Sequence, residues 1–104
     1  MDTKHFKSTG DILRKLRIKN KLPLRKVAAL LDIDQSYLSK IERGIKNPSE
    51  DQIIKLANIL KTNVKELLIH YYSDNILHTI TNDDLAKDAL KVAEKKLEIY
   101  LKEK

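Results

Sequence analysis

Six times along its 104 residues this chain spells out the start of a helix. The signals are Ser8 or Thr9, the Leu22-Pro23 step, Asp34, Ser49-Glu50-Asp51-Gln52, Asn63-Val64-Lys65-Glu66 and Asn82-Asp83-Asp84. Each places a short polar side chain or a proline where the first turn of a helix has N–H groups with no intrahelical partner. Ser49 with Gln52, and Asn63 with Glu66, read as capping boxes in which side chain and backbone bond reciprocally. Between the signals, apolar residues recur at three- and four-residue spacing. There are only two glycines and two prolines to interrupt them. The expected class is all-α.

The first helix is expected to run to about Asn20, with Asp11 in its positive first turn and Ile12, Leu13 and Leu16 as its buried stripe. Arg14, Lys15 and Lys19 face outward. A second helix opens at Pro23 and buries Val27, Ala28, Leu30 and Leu31. Asp32 and Ile33 turn into a third helix, and Ile45-Lys46-Asn47-Pro48 separates that from a fourth, which buries Ile53, Leu56, Ala57 and Leu60. The fifth has Leu67, Leu68 and Tyr71 as its apolar residues and ends near residue 72. Residues 1–8 read as a loose arm whose Lys4, His5 and Lys7 could touch phosphate, and 73–81 as a break. The last helix carries a stripe of Ala86, Ala89, Leu90, Ala93, Leu97, Tyr100 and Leu101. Within it Ala86, Leu90, Ala93, Leu97 and Tyr100 follow the four-three-four-three spacing of a short heptad seam.

A chain of this length holds one small core. The expected division is a five-helix domain over 1–72 and a C-terminal helical extension over 73–104. With no cysteine, neither disulfides nor thiolate metal sites can stabilise it. No apolar run approaches the roughly 18 residues of a membrane span, and the N-terminus lacks a signal-peptide core, so a cytoplasmic protein is expected. His5, His70 and His78 have neither a paired carboxylate nor ligand spacing, and no glycine-rich phosphate loop is present. No enzyme activity, metal or cofactor is therefore expected.

Charge is unevenly placed. Residues 1–48 hold twelve Lys/Arg against five Asp/Glu, a balance of +7, and residues 49–104 nine against ten, a balance of −1. A basic half suits a polyanion, because neutralising phosphates releases counterions; it also suits plain solubility. The same half contains Asp34 to Gly44. There Leu38 and Ile41 share an inner face, Gln35, Ser36, Ser39 and Lys40 occupy the others, and Gly44 supplies a left-handed stop. An apolar underside with amide, hydroxyl and ammonium groups outside suits reading base edges in a major groove, and equally suits a solvated surface helix.

Taken together, Leu22 to Leu68 resembles the helix-turn-helix domain of the phage-repressor-like (lambda repressor and Cro, or Xre) transcription regulators. The likeness is carried by Val27-Ala28, Leu31, Ile33, Leu38 with Ile41-Glu42-Arg43-Gly44, Asn47-Pro48-Ser49, and Leu56-Ala57, Leu60 and Leu67-Leu68. With the first helix it covers about two-thirds of the chain, and its motif spans about 23–44. The resemblance implies a five-helix lambda-repressor-like DNA-binding domain with an additional C-terminal amphipathic helix. It implies that Ala28 allows close helix crossing, and that Arg17 and Glu42 form an ion pair locking the first helix to the third. The family's usual turn glycine is here Asp32, which tolerates left-handed geometry. Its Ser-Gln at the second helix is here Pro23-Leu24, so Arg25 or Lys26 would take over a phosphate contact.

The same resemblance implies that the third helix enters the major groove of double-stranded DNA. Gln35, Ser36, Tyr37, Ser39 and Lys40 would then face the bases, while Arg25, Lys26, Arg43, Lys46 and Asn47 hold phosphates. A homodimer on a palindromic operator is expected, with Leu67, Leu68, Tyr71, Leu77, Leu90, Leu97 and Tyr100 as its candidate interface. A restriction–modification controller and a phage-type repressor both fit. The rival expectation is an antitoxin or other protein-binding module whose last helix holds a partner protein.

Overall fold

The computed structural model describes residues 8–81 and 84–103. Every regular element among them is a helix: α1 (Thr9–Lys19), α2 (Leu24–Leu31), α3 (Gln35–Glu42), α4 (Glu50–Ile59), α5 (Val64–Ile80) and α6 (Ala86–Glu103). Lys4, His5 and Lys7 of the expected arm, and Asn82 and Asp83 of the last start signal, lie outside the described residues. The chain divides into two compact units between Asp74 and Asn75.

The first unit is held by one apolar cluster to which α1 to α5 all contribute. Leu13, Val27, Ala28, Leu31, Leu38, Ile41, Ile53, Leu56, Ala57, Leu60, Leu67 and Tyr71 are buried, with Ile12, Leu16, Ile33 and Leu68 packed against them. Within it α3 packs on both α1 and α2, and α2 packs on α4. Ala28, 2% exposed, sits where α2 and its neighbours meet. Leu30 departs from expectation: it is 58% exposed. Its place at the edge of the apolar arc of α2 satisfies the spacing but turns the side chain away from the cluster.

The helix starts follow the local chemistry. Ser8 accepts from the Asp11 N–H at 3.1 Å, and the Ser49–Gln52 box closes both ways, at 3.1 and 2.9 Å. Asn63 accepts from the Glu66 N–H at 3.0 Å. Asp34 stands at the N-cap of α3 with extended backbone, but its carboxylate makes no capping bond. It is exposed, so the first-turn amides of α3 face solvent rather than a side-chain cap.

The helix ends share one device. The N–H groups of Leu22, Ile33, Ile45 and Thr62 each donate to the carbonyl five residues back, at 2.8–3.1 Å. This wrap requires a left-handed residue just before the donor. Gly44 supplies one (φ +77°), but Lys21, Asp32 and Lys61 adopt φ of 56–60° with a side chain in place. The turn aspartate thus takes the geometry that glycine has in the family.

The expected break after residue 72 is not there: α5 continues to Ile80. No glycine or proline stands between Pro48 and Lys104 to stop it. Thr79 and Thr81 turn their hydroxyls back to the carbonyls of Asn75 and Leu77, absorbing groups that otherwise compete with the helix. The poor helix former Asp74 is engaged elsewhere. Its carboxylate accepts from the Thr9 N–H at 2.7 Å and from the Thr9 hydroxyl at 2.6 Å, capping α1.

Candidate nucleic-acid interface

Helix α3 is fixed from three sides before its outer face is considered. Leu38 and Ile41 are 1% and 2% exposed and anchor it in the core. At its C-terminal end, Arg17 of α1 grips Glu42 with both arms of the guanidinium: Nε to Oε2 at 2.7 Å and Nη2 to Oε1 at 3.1 Å. The remaining nitrogen, Nη1, donates to the Leu22 carbonyl at 3.1 Å. The pair expected from the family resemblance therefore forms, and it also braces the turn into α2. Bonding to Glu42 raises the Arg17 pKa above its ordinary value, although partial burial acts the other way.

Gly10 is the third support, and the sequence reading missed it. A β-carbon there would lie 2.5 Å from the carbonyl oxygens of both Ile41 and Glu42, so the absent side chain lets α1 press against the last turn of α3. A signal was present: one of only two glycines falls inside a helix, where it costs about 1 kcal/mol relative to alanine and so calls for a reason. Tyr71 steadies the loop after α3, donating its buried hydroxyl to the Pro48 carbonyl at 2.7 Å.

On the outer side, Gln35, Ser36 and Lys40 are exposed and Ser39 is half-buried. Tyr37 is also half-buried and packs against the core, so part of its ring is committed inward. Arg25 and Lys26 are exposed on α2, and Arg43, Lys46 and Asn47 are exposed just beyond α3. Arg43 curls back, its Nε donating to the Ser39 carbonyl at 3.3 Å. Four cations, Arg25, Lys26, Arg43 and Lys46, thus flank a short helix whose exposed face carries amide, hydroxyl and ammonium groups, while its acidic residue Glu42 is turned inward and paired.

The expected dimer residues separate into two groups. Leu67 and Tyr71 are 2% and 8% exposed within the first unit, and Leu68 packs against the same cluster. Those two buried residues complete the domain's own core and offer no surface, which corrects the expectation for them. Leu77, Leu90, Leu97 and Tyr100 remain 45–58% exposed. Among the described residues no group of His, Cys, Asp or Glu could hold a metal ion, and no helix is long and apolar enough to cross a membrane.

The model of the helix-turn-helix family matches residues 13–67, just over half of the chain. The chain belongs to the helix-turn-helix family. It is a DNA-binding transcription regulator of the lambda-repressor-like (Xre) kind. Control protein C.BamHI of Bacillus amyloliquefaciens is 37% identical to it over 60 residues, covering 57% of this chain and 74% of that protein. The restriction–modification controller protein C.AhdI from Aeromonas hydrophila is similar in structure, with TM-score 0.53 and 39% identity over 57% of this chain and 89% of its own. So is SinR, a master regulator for biofilm formation solved in complex with DNA, with TM-score 0.53, 31% identity and coverage of 58% and 97%. In this helix-turn-helix regulator the match spans α2 and α3 and falls within the first unit.

Proposed function

We propose that this regulator binds a palindromic operator as a homodimer and controls transcription in the manner of a restriction–modification controller protein. The supporting observation is the outer face of α3: Gln35, Ser36 and Lys40 exposed on a helix held by Arg17, Gly10 and the core. Similarity to C.BamHI and C.AhdI supports the controller reading over a phage-type repressor. In this reading Gln35 pairs its amide with adenine N6 and N7, and Lys40 donates to guanine O6 or N7. Ser36 and Ser39 serve base edges or nearby phosphates, and the exposed edge of Tyr37 lies against sugar or a thymine methyl. Arg25, Lys26, Arg43, Lys46 and Asn47 grip the strands and set register without reading sequence. Two α3 helices about 34–36 Å apart would meet half-sites one turn apart.

Selecting fragments from random duplex DNA with the purified protein tests this directly. Enrichment of a palindrome with half-site centres one turn apart is expected; no preference over random competitor rejects it. On the selected operator, Gln35→Ala should cost roughly 1–3 kcal/mol at one base position, whereas Lys46→Ala should weaken all sequences alike and flatten the salt slope by about one unit. The exposed leucines of α6 favour one second reading, a helix that holds a foreign protein. A partner co-purifying in fixed ratio would support it.

A further inference from the structure

No residue of α6 is buried, and Leu90 and Leu97 on its seam are 45% and 55% exposed. Over its first four positions, before Tyr100, the seam alternates small and large side chains: Ala86, Leu90, Ala93, Leu97. We propose that α6 docks on α6 of a second copy of the chain, antiparallel, with Leu90 opposite Ala93 and Leu97 opposite Ala86. This deepens the homodimer reading above and rests on it.

The register follows from size and charge together. In it Leu90 and Leu97 of one copy each meet an alanine of the other, so each of these layers holds one large and one small side chain and packs without voids. The same alignment brings Lys87 beside Glu94 of the second copy, and the two-fold axis repeats the contact, giving two ion pairs on one flank. On the other flank the aliphatic stem of Lys96 lies over Ala89 of the second copy. A parallel pairing fares worse on both counts. It stacks Leu90 on Leu90 and Ala93 on Ala93, leaving space at each alanine layer. It also sets Lys96 against Leu101 and Glu94 against Ala89, with no ion pair formed.

The occupant is a second copy because of what the rest of the helix carries. α6 holds five lysines and four acidic residues, so two copies do not repel and no single-sign face calls for an oppositely charged partner. The complementarity lies within one sequence read in both directions, which is what an isologous interface requires.

Two experiments test the pairing. In sedimentation without DNA, Lys87→Glu sets like charges together twice and should weaken the dimer about tenfold. Adding Glu94→Lys to the same chain should restore it, with circular dichroism showing equal helix content throughout. The chain has no cysteine, so single-cysteine variants report geometry directly. A mixture of Leu90→Cys and Ala93→Cys chains should oxidise mainly to the mixed disulfide. Predominant Leu90→Cys self-linking overturns the antiparallel register. A dimer indifferent to Lys87→Glu overturns the α6 docking while leaving the operator-bound dimer standing. A chain that sediments as a monomer at every concentration overturns the docking, and two copies on one operator would show whether the dimeric reading survives. Absence of any operator preference removes the proposed function but leaves α6 pairing to be judged by sedimentation.

Discussion

Helices α3 and α6 are both two-faced, and they dispose of their faces in opposite ways. In α3 the apolar face is sealed in the core, with Leu38 and Ile41 at 1–2% exposure, and the polar face is left free. In α6 the apolar residues stay at the surface, with Leu90, Val92, Leu97, Ile99 and Leu101 at least 45% exposed. Amphipathic spacing alone does not say which face a helix uses for recognition. That is decided by whether the apolar stripe finds a partner within its own folding unit. Where it does, as in α3, what remains outside is hydrogen-bonding chemistry suited to base edges. Where it does not, as in α6, what remains outside is surface that water disfavours, and association removes it.

The largest effect that would sharpen this contrast is leucine deletion at the two kinds of site. Leu56→Ala, in the core, should cost about 3–4 kcal/mol in denaturant unfolding, with a cavity left behind. Leu97→Ala should cost less than about 0.5 kcal/mol for the monomeric protein, since its side chain is already solvated. Similar losses at both sites would dissolve the distinction.

Next in size is the support of α3. Arg17→Ala leaves Glu42 buried without its partner and should cost about 2–3 kcal/mol, somewhat under the range for a fully enclosed pair. Arg14→Ala, at an exposed position of the same helix, should change little, and equal melting temperatures would refute the bracing role. The pH dependence has a definite sign. The folded-state pKa of Arg17 lies above its ordinary value, so its contribution is fully present below the unfolded value and is lost only as pH rises through the folded one. The stability gap between wild type and Arg17→Ala should stay level from neutral pH to about pH 10 in urea titrations. A gap that closes on that alkaline side would contradict it.

Smaller again, Asp74→Ala removes the carboxylate that caps α1 and should cost about 1–2 kcal/mol by thermal unfolding. The smallest effect has the opposite sign. Lys61 holds φ +56°, a conformation that burdens any residue with a β-carbon. Lys61→Gly should stabilise the first unit by up to about 1 kcal/mol, the relief being partly offset by the added freedom of glycine in the unfolded chain. A loss of stability there would show that the side chain is needed where it is.

Much of the first unit was legible because its signals are local. Caps, the proline step and the core stripes of α1 to α4 act within a turn or two, and the residues that produce them stand side by side. The helix stops were less so, because at Lys21 and Lys61 nothing in a lysine announces a left-handed backbone; packing of the following residue imposes it. Contacts distant in sequence were hidden altogether. Thr9 with Asp74, and Gly10 with the end of α3, depend on how the helices come to lie. Arg17 with Glu42 was accessible only through likeness to a family. Leu67 and Tyr71 were assigned to an interface because apolar spacing does not distinguish a face turned to its own core from one turned to another molecule. On α3 the spacing also did not show that the ring of Tyr37 is shared between core and surface.

The capping of α1 by Asp74 also fixes how short the chain can be trimmed. A fragment ending at Tyr72 would keep every core side chain yet begin α1 with two donors that the intact protein satisfies from 65 residues away. The minimal autonomous unit therefore extends three residues past the last core side chain, Tyr71, to the carboxylate of Asp74, and α1 frays first in anything shorter.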